Sequence, residues 1–177
     1  MAPERERAVT IHGDPLALVG DEVEVGMTAP DVGLLDNDLN VVRLSSFRGR
    51  VCLIASVPSL DTPVCDVETR RVNKEAADLG EDVVVITVSM DLPFAQKRWC
   101  GASGIEGAIT LSDHRGASFG KAYGVLIKEL RLLARAVFVV DRDGIVQYIQ
   151  LVDEVTNEPD YDAVLKALKD VLQGGAA

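Results

Sequence analysis

The chain has 177 residues, of which 47% are hydrophobic and 5% aromatic, and it carries a net charge of −10. This length favours one domain over residues 1–177, with a core of Val, Leu, Ile and Ala. The acidic balance argues against nucleic acid and membrane surfaces as partners, because phosphate contacts need clustered Lys and Arg. No apolar run approaches the roughly 18 residues of a membrane span, and the charged N-terminus does not resemble a signal peptide. We therefore expect a cytoplasmic protein.

The hydrophobic pattern predicts two short hairpins followed by alternating strands and helices. In chain order the predicted elements are the strands Val9–Ile11, Leu16–Val19, Val32–Leu35, Val41–Leu44 and Arg50–Val57, the helix Val64–Leu79, the strand Asp82–Ser89, the helix Leu92–Cys100, the strand Ile109–Ser112, the helix Ala117–Tyr123, the strands Ala134–Val140 and Ile145–Leu151, and the helix Tyr161–Leu172. This order is typical of a thioredoxin-like α/β fold, a central mixed sheet flanked by helices, here with an N-terminal β-hairpin extension.

The loop before the first long helix holds a pattern suited to thiol chemistry. It reads Pro58-Ser59-Leu60-Asp61-Thr62-Pro63-Val64-Cys65. Thr62 suits the N-cap and Pro63 the first helical position, which places Cys65 in the first turn. Backbone N–H groups and the helix dipole favour a thiolate there. The same run also fits an ordinary capped helix with a small buried cysteine.

A reactive Cys65 requires a cation from elsewhere in the fold. Its acidic neighbours oppose a thiolate: Asp61, Asp66 and Glu68. Arg135 is at the start of an apolar strand. If its side chain is buried there, the guanidinium needs an anion, and a thiolate could be that anion. An arginine at the edge of the strand with its guanidinium in water fits the sequence as well. Three other arginines are weaker candidates: Arg70, Arg71 and Arg131.

The three cysteines indicate redox or catalytic use, since a cytosolic chain rarely builds a disulfide framework. Cys100 ends the second predicted helix, and alone it fits a half-buried structural residue as well as a second reactive thiol. A sulfenic acid at Cys65 would condense with a nearby thiol. Cys52 lies inside an apolar strand, where burial blocks access, so we assign it no role. The sequence indicates no metal, haem, flavin or nicotinamide site, so the sulfur itself would carry the chemistry.

The pattern P-x-x-x-T-x-x-C occurs together with three other segments, Ser89–Cys100, Ala134–Val137 and Gln150–Tyr161. In combination these resemble the bacterial thiol peroxidases, the atypical two-cysteine branch of the peroxiredoxin family. The resemblance runs from about Thr10 to Leu172. Two residues depart from the family pattern. Pro63 stands at a position where the family often has a smaller residue, and Cys52 has no role in the family pattern.

The resemblance implies a role for each residue of the site. Cys65 matches the peroxidatic cysteine, Thr62 the hydroxyl that hydrogen-bonds sulfur and peroxide, and Pro58 the residue that shields the sulfur. Arg135 matches the cation that favours the thiolate. Cys100 matches the resolving cysteine, which in this branch forms an intrachain disulfide. We also expect local unwinding near one of the two cysteines during each cycle, because a disulfide needs Cα atoms within about 7 Å.

The implied function is reduction of hydrogen peroxide or organic hydroperoxides through a Cys65 sulfenic acid and a Cys65–Cys100 disulfide. Thioredoxin as reductant and a homodimer are implied in the same way. Two alternatives stay open. A redox-sensing interaction protein would use the same disulfide as a switch. The second alternative is a thioredoxin-like dithiol reductase, against which the cysteines are far apart in sequence rather than arranged as C-x-x-C.

Overall fold

The structure, a computed structural model, describes residues 1–105 and 107–174. Its helices and strands in chain order are β1 (Glu4–Ile11), β2 (Asp14–Val19), β3 (Gly33–Leu35), β4 (Val41–Arg43), a 3₁₀ helix (Leu44–Phe47), β5 (Val51–Ser56), α1 (Pro63–Ala77), β6 (Val83–Ser89), α2 (Pro93–Ser103), β7 (Ile109–Ser112), α3 (Ser118–Ala122), β8 (Leu126–Ile127), β9 (Leu132–Leu133), β10 (Ala136–Val140), β11 (Val146–Leu151) and α4 (Tyr161–Leu172).

A seven-stranded mixed sheet in the order β11-β10-β5-β6-β7-β3-β4 forms the centre of the fold. Strands β5, β6 and β7 are parallel, and β10 pairs antiparallel with β5. Because side chains alternate along a strand, β5 points Val51, Leu53 and Ala55 towards α1 and α4, and Ile54 towards the opposite core. The predicted central mixed sheet with flanking helices is therefore confirmed.

The N-terminal hairpin forms as predicted, but it is longer and belongs to a second sheet. Strands β1 and β2 meet at a two-residue turn, His12 and Gly13, with φ of 50° and 85°, the left-handed geometry that tight hairpins favour. They join β8 and β9 in a sheet of order β1-β2-β8-β9. The sequence pattern missed β8 and β9 because two-residue strands are too short to show a hydrophobic period.

The second helix was predicted to end too early. Gly101 was expected to end it after Cys100, but α2 continues to Ser103, and Gly104 closes it in the left-handed conformation with φ of 70°. A glycine inside a helix costs only about 1 kcal/mol, which the surrounding turns tolerate. Cys100 therefore lies within the last part of α2 rather than at its end.

A second boundary differs at the strand that follows Arg135. The strand was predicted from Ala134, but β10 begins at Ala136, so Arg135 precedes the ladder. Its neighbour Ala134 is held from two sides, since its N–H donates to Val125 O and its carbonyl accepts from Ser56 Oγ. Among the described residues, no helix combines the length and apolar character that crossing a membrane requires.

Candidate active site

Thr62 and Pro63 start α1 in the geometry that the sequence predicts. Thr62 is the N-cap: its Oγ1 accepts a hydrogen bond from the Cys65 N–H at 3.3 Å and donates to Ser59 O at 3.1 Å. Pro63 takes the first helical position, where its missing N–H costs nothing. Cys65 is fully buried in the first turn, at the positive end of the helix.

Arg135 supplies the cation that Cys65 requires. Its side chain is 2% exposed, and Nη2 donates to Cys65 Sγ at 3.3 Å. Burial lowers the pKa of Arg135, but Glu68 and Cys65 outweigh it and raise that pKa above its ordinary value. The group is therefore charged. The other arginine candidates on α1 are exposed and engaged with surface carboxylates, Arg70 with Asp66 and Arg71 with Glu75.

Glu68 is a third member of this cluster that the sequence analysis counted only as an acidic neighbour. It lies three residues after Cys65, on the same face of α1, and accepts from Arg135 Nη1. Its Oε1 has no hydrogen-bond partner among the described residues. Burial raises the pKa of Glu68 to about 7, while Arg135 opposes and Glu158 reinforces the shift. The i, i+3 spacing was the signal that could have placed it here.

The third acceptor around Arg135 is a backbone carbonyl. Val155 O receives hydrogen bonds from Arg135 Nε at 3.2 Å and from Nη2 at 3.0 Å. Nη2 thus bridges this carbonyl and the Cys65 sulfur. No residue type in the sequence marks such an acceptor, because every residue has a carbonyl group.

Asp91 holds the loop that carries Pro58 and Thr62. Its Oδ1 accepts from Ser59 Oγ at 2.7 Å, and its Oδ2 accepts from Leu60 N–H at 2.8 Å. Pro58, predicted to shield the sulfur, is buried just before this point. Because β5 and β6 are parallel neighbours, the segments that follow them meet at one edge of the sheet. A carboxylate directly after β6 is the sequence signal that could have identified Asp91.

Cys100 packs against the same apolar cluster as Cys65 without bonding to it. Val57, Leu60, Cys65 and Trp99 form this cluster, with half-buried Cys100 and Ile105 on its side. The Cys100 sulfur lies 3.3 Å from Thr110 Oγ1. All three cysteines of the described chain are free thiols. The structure therefore shows the reduced form.

Two polar contacts fix α2 against the start of α1. Trp99 Nε1 donates to Asp66 Oδ1 at 2.7 Å, and Asp66 directly follows Cys65 in the sequence. Arg70 Nη1 donates to Ser103 O at 2.8 Å. Trp99 and Ser103 flank Cys100 in sequence, so both contacts restrain the part of α2 that carries this thiol.

Cys52 lies apart from the cluster. Its thiol is buried under the 3₁₀ helix, 3.8 Å from Phe47 O, and burial raises its pKa to about 11. Such a thiol is protonated at neutral pH and a poor nucleophile. Among residues 1–105 and 107–174, no group of three or more His, Cys, Asp or Glu side chains could hold a metal ion.

Comparison with known proteins gives the family. The Redoxin family model matches residues 24–165. The thiol peroxidase of Halalkalibacterium halodurans is 56% identical over 165 residues, covering 93% of this chain and 99% of that protein. The thiol peroxidase of Bacillus subtilis is 54% identical over 165 residues, covering 93% of this chain and 98% of its own length. The crystal structure of a peroxiredoxin-like protein from Aquifex aeolicus is 45% identical with a TM-score of 0.86, covering 93% and 97% of the two chains.

The chain belongs to the Redoxin family, among its thiol peroxidases. The predicted resemblance and the thioredoxin-like fold are confirmed, and the chain is a peroxiredoxin-type peroxidase. Membership of the peroxiredoxins implies a peroxide substrate and a thiol reductant.

Replacing Asp91 should slow the first oxidation of this peroxiredoxin. Asp91→Asn offers one acceptor oxygen where Ser59 and Leu60 now use two, so the loop carrying Thr62 should loosen. We expect the second-order rate of oxidation by hydrogen peroxide, measured by stopped flow, to fall roughly 10- to 100-fold. The control Asp61→Asn alters an exposed carboxylate of the same loop, 3.8 Å from Arg98, and should react at the wild-type rate. Equal rates in both variants would contradict this role for Asp91.

Glu68 should make stability depend on pH. Its pKa is 4.5 ordinarily and about 7 in the folded protein. Between these values the folded state binds more protons than the unfolded state, so the free energy of unfolding falls as pH rises, by up to about 3 kcal/mol. Urea unfolding of wild type and Glu68→Gln across this range should show the wild type losing stability relative to the variant. Glu75→Gln, which alters an exposed pair on the same helix, should keep the wild-type pH dependence. Parallel curves for wild type and Glu68→Gln would show that Glu68 does not titrate there.

Proposed function

We propose that Cys65 is the peroxidatic cysteine and reduces hydrogen peroxide and organic hydroperoxides. The thiolate attacks the terminal peroxide oxygen, the O–O bond breaks, and the leaving oxygen departs as water or an alcohol after taking a proton. Cys65 becomes a sulfenic acid. The observation that supports this most directly is the contact between the buried Arg135 Nη2 and Cys65 Sγ at the N-terminus of α1.

In this proposal Arg135, Thr62 and the first-turn N–H groups stabilise the developing negative charge. Arg135 reaches the sulfur in the resting protein, so no large rearrangement is needed at the moment of reaction. Donors fixed before the reaction are worth more in a buried site than in water. Thr62 Oγ1 caps the helix at the Cys65 N–H and lies beside the first turn; its proton, donated to Ser59 O in the resting protein, would turn towards the peroxide. Pro58 is buried at the start of this loop, consistent with a shielding role.

Glu68 would aim the guanidinium and compete with Cys65 for its positive charge. It holds Nη1 while Nη2 points at the sulfur. A carboxylate and a thiolate on one guanidinium compete for a single positive charge. Because burial raises the pKa of Glu68 to about 7, the carboxyl group is partly neutral near neutral pH and leaves more of the cation's field to Cys65.

Cys100 would then resolve the sulfenic acid. Its thiol attacks the Cys65 sulfur, releasing water and forming the Cys65–Cys100 disulfide. Cys65 is fully buried and Cys100 is held by the surrounding turns of α2. The bond therefore requires the Trp99–Asp66 and Arg70–Ser103 contacts to break, with local unwinding of α2 or of the start of α1.

Thioredoxin is the reductant that we propose for this disulfide, with a homodimer as the assembly and the cytoplasm as the location. These three statements rest on the resemblance to the atypical two-cysteine peroxiredoxins. We also propose that residues 1–177 act as one domain. An assay coupled to thioredoxin, run with hydrogen peroxide and with cumene hydroperoxide, tests the reductant and the substrate class together. Continued turnover favours a peroxidase, whereas a single oxidation event favours a redox sensor.

Replacement of Cys65 tests the nucleophile. Cys65→Ser should abolish peroxide consumption, because a neutral hydroxyl is a far weaker nucleophile than a thiolate. Cys52→Ala is the matched control, since it removes a buried thiol outside the site, and should retain turnover. Substantial peroxide consumption by Cys65→Ser would overturn the assignment.

Replacement of Cys100 separates the two half-reactions. Cys100→Ser should keep a fast first oxidation, because the surroundings of Cys65 remain, while thioredoxin-driven turnover collapses and overoxidation of Cys65 increases. In wild type, oxidation should also change the fluorescence of Trp99, the single tryptophan, as its bond to Asp66 breaks. Hydrogen exchange on both redox forms locates the unwinding. Identical exchange in α1 and α2 of the two forms would rule out the unwinding without affecting the peroxidase proposal.

A further inference from the structure

The segment after β11 determines where the Arg135 guanidinium points. Val155 O accepts two of its hydrogen bonds, and the Arg135 carbonyl accepts from Val152 N–H at 3.0 Å. Val155 is itself buried, 4% exposed, in the core that contains the N-terminal hairpin. A shift of this carbonyl would move Nη2 away from the Cys65 sulfur, since both bonds share that nitrogen.

The N-terminal hairpin holds this segment in place through the backbone. Thr10 N–H donates to Asp153 O at 2.8 Å, and Val155 N–H donates to Thr10 O at 2.8 Å. This short parallel bridge is the contact between β1 and the chain beyond β11. The backbone of Val155 is therefore bonded to β1 through its N–H and presents its carbonyl oxygen to Arg135.

The Glu154 carboxylate joins the hairpin to the segment through side chains. Its Oε1 accepts from Thr10 Oγ1 at 3.0 Å and from Gly13 N–H at 2.9 Å. Its Oε2 accepts from the Thr156 N–H at 2.9 Å and from Thr156 Oγ1 at 2.7 Å. The left-handed turn at His12 and Gly13 points the Gly13 N–H towards this carboxylate. Four donors on one carboxylate hold it as an anion, and they lower the pKa of Glu154 to about 2.

We propose that Glu154 is a positioning residue for peroxide reduction, and that the N-terminal hairpin works through it as part of the active-site support. Glu154 does not touch the reacting sulfur. It fixes residues 153–156 against Thr10 and Gly13. This keeps the Val155 carbonyl oxygen in place as an acceptor for Arg135. Arg135 Nη2 is thereby kept in contact with Cys65 Sγ. The inference rests on the proposed roles of Arg135 and Cys65. It gives the N-terminal hairpin a role in catalysis in addition to its role in packing.

The pH at which Cys65 ionises provides a test, because a positioning role and a direct electrostatic effect of Glu154 shift it in opposite directions. Loss of a carboxylate should by itself favour a thiolate and move its formation to lower pH. Loss of the Glu154 contacts should instead release Arg135 and move thiolate formation to higher pH. In a Cys100→Ser background, we expect Glu154→Ala to raise the midpoint of the thiolate ultraviolet absorbance by roughly half a pH unit or more. The stopped-flow rate with hydrogen peroxide should fall about 10-fold at neutral pH.

Two conservative variants allow the test to be made even if Glu154→Ala does not fold. Glu154→Gln retains one acceptor oxygen but cannot accept from both Thr156 and the hairpin, so an intermediate midpoint is expected. Thr10→Val removes a single donor to the same carboxylate at nearly constant shape. If Glu154→Ala fails to fold by circular dichroism, these two variants decide the outcome with the same absorbance measurement.

Two controls isolate the route through Arg135. Glu4→Gln removes a carboxylate from the same hairpin, one that binds Lys128 at 2.7 Å, and should leave midpoint and rate unchanged. In an Arg135→Ala background, Glu154→Ala should cause no additional shift, because the residue through which it acts is gone. An unchanged or lowered midpoint in the folded Glu154 variants, or an equal shift without Arg135, would overturn the proposal. Because the absorbance needs no turnover, a chain without peroxidase activity would refute the proposed function and leave this test intact.

Discussion

The buried guanidinium of Arg135 is the constraint on which the rest of the site depends. A charged group at 2% exposure is tolerated only if its donors are matched, since an unpaired buried charge costs several kcal/mol. Arg135 meets this demand with three acceptors of different kinds, the thiol of Cys65, the carboxyl group of Glu68 and the carbonyl of Val155. The need to satisfy one cation thus links α1, the start of β10 and the segment after β11.

The polar and apolar roles of α1 are separated along its length. The buried side of the helix begins with Cys65, Glu68 and Thr69 and continues with Val72 and Ala76, which enter the core between α1, α4 and the sheet. Within this polar part, Thr69 Oγ1 donates to Cys65 O at 2.7 Å, so the Thr69 hydroxyl is satisfied inside the helix. The apolar half anchors the helix, which keeps its reactive N-terminus fixed relative to Arg135.

Under the roles proposed for Cys65 and Cys100, the reduced structure favours the first oxidation, and resolution requires a rearrangement. Thr62, Asp91 and Arg135 all hold the surroundings of Cys65 in one arrangement, while Trp99 and Asp66 hold α2 against it. In the proposed cycle, the disulfide must then form between a fully buried Cys65 and a half-buried Cys100, with Cα atoms within about 7 Å. Two hydrogen bonds, one of them exposed, connect polar groups of α1 and α2, and we propose that they open during resolution.

The sequence by itself determined the fold class and the class of enzyme, and it predicted the loop of the candidate site. Continuous apolar runs identified the central strands, because β5 and β6 are buried on both faces, and the apolar spacing of α4 identified that helix. α4 and β7 match their predicted limits. The cap residues Thr62 and Pro63 fixed the start of α1 locally, so the position of Cys65 within its first turn followed from neighbours in the chain.

Only the tertiary structure decided which distant groups complete the site. The contact between Arg135 and Cys65 joins residues 70 positions apart, and the bond between Glu154 and Thr10 joins residues 144 positions apart. The sequence proposed Arg135 through a family resemblance and left a strand-edge arginine open. It marked Glu68 only by its spacing from Cys65 and Asp91 only by its position after β6, and it gave no sign of the Val155 carbonyl as a partner. The physical reason is that local sequence encodes capping and periodicity, whereas burial, and with it the demand that each buried charge find its acceptors, exists only after the chain has packed.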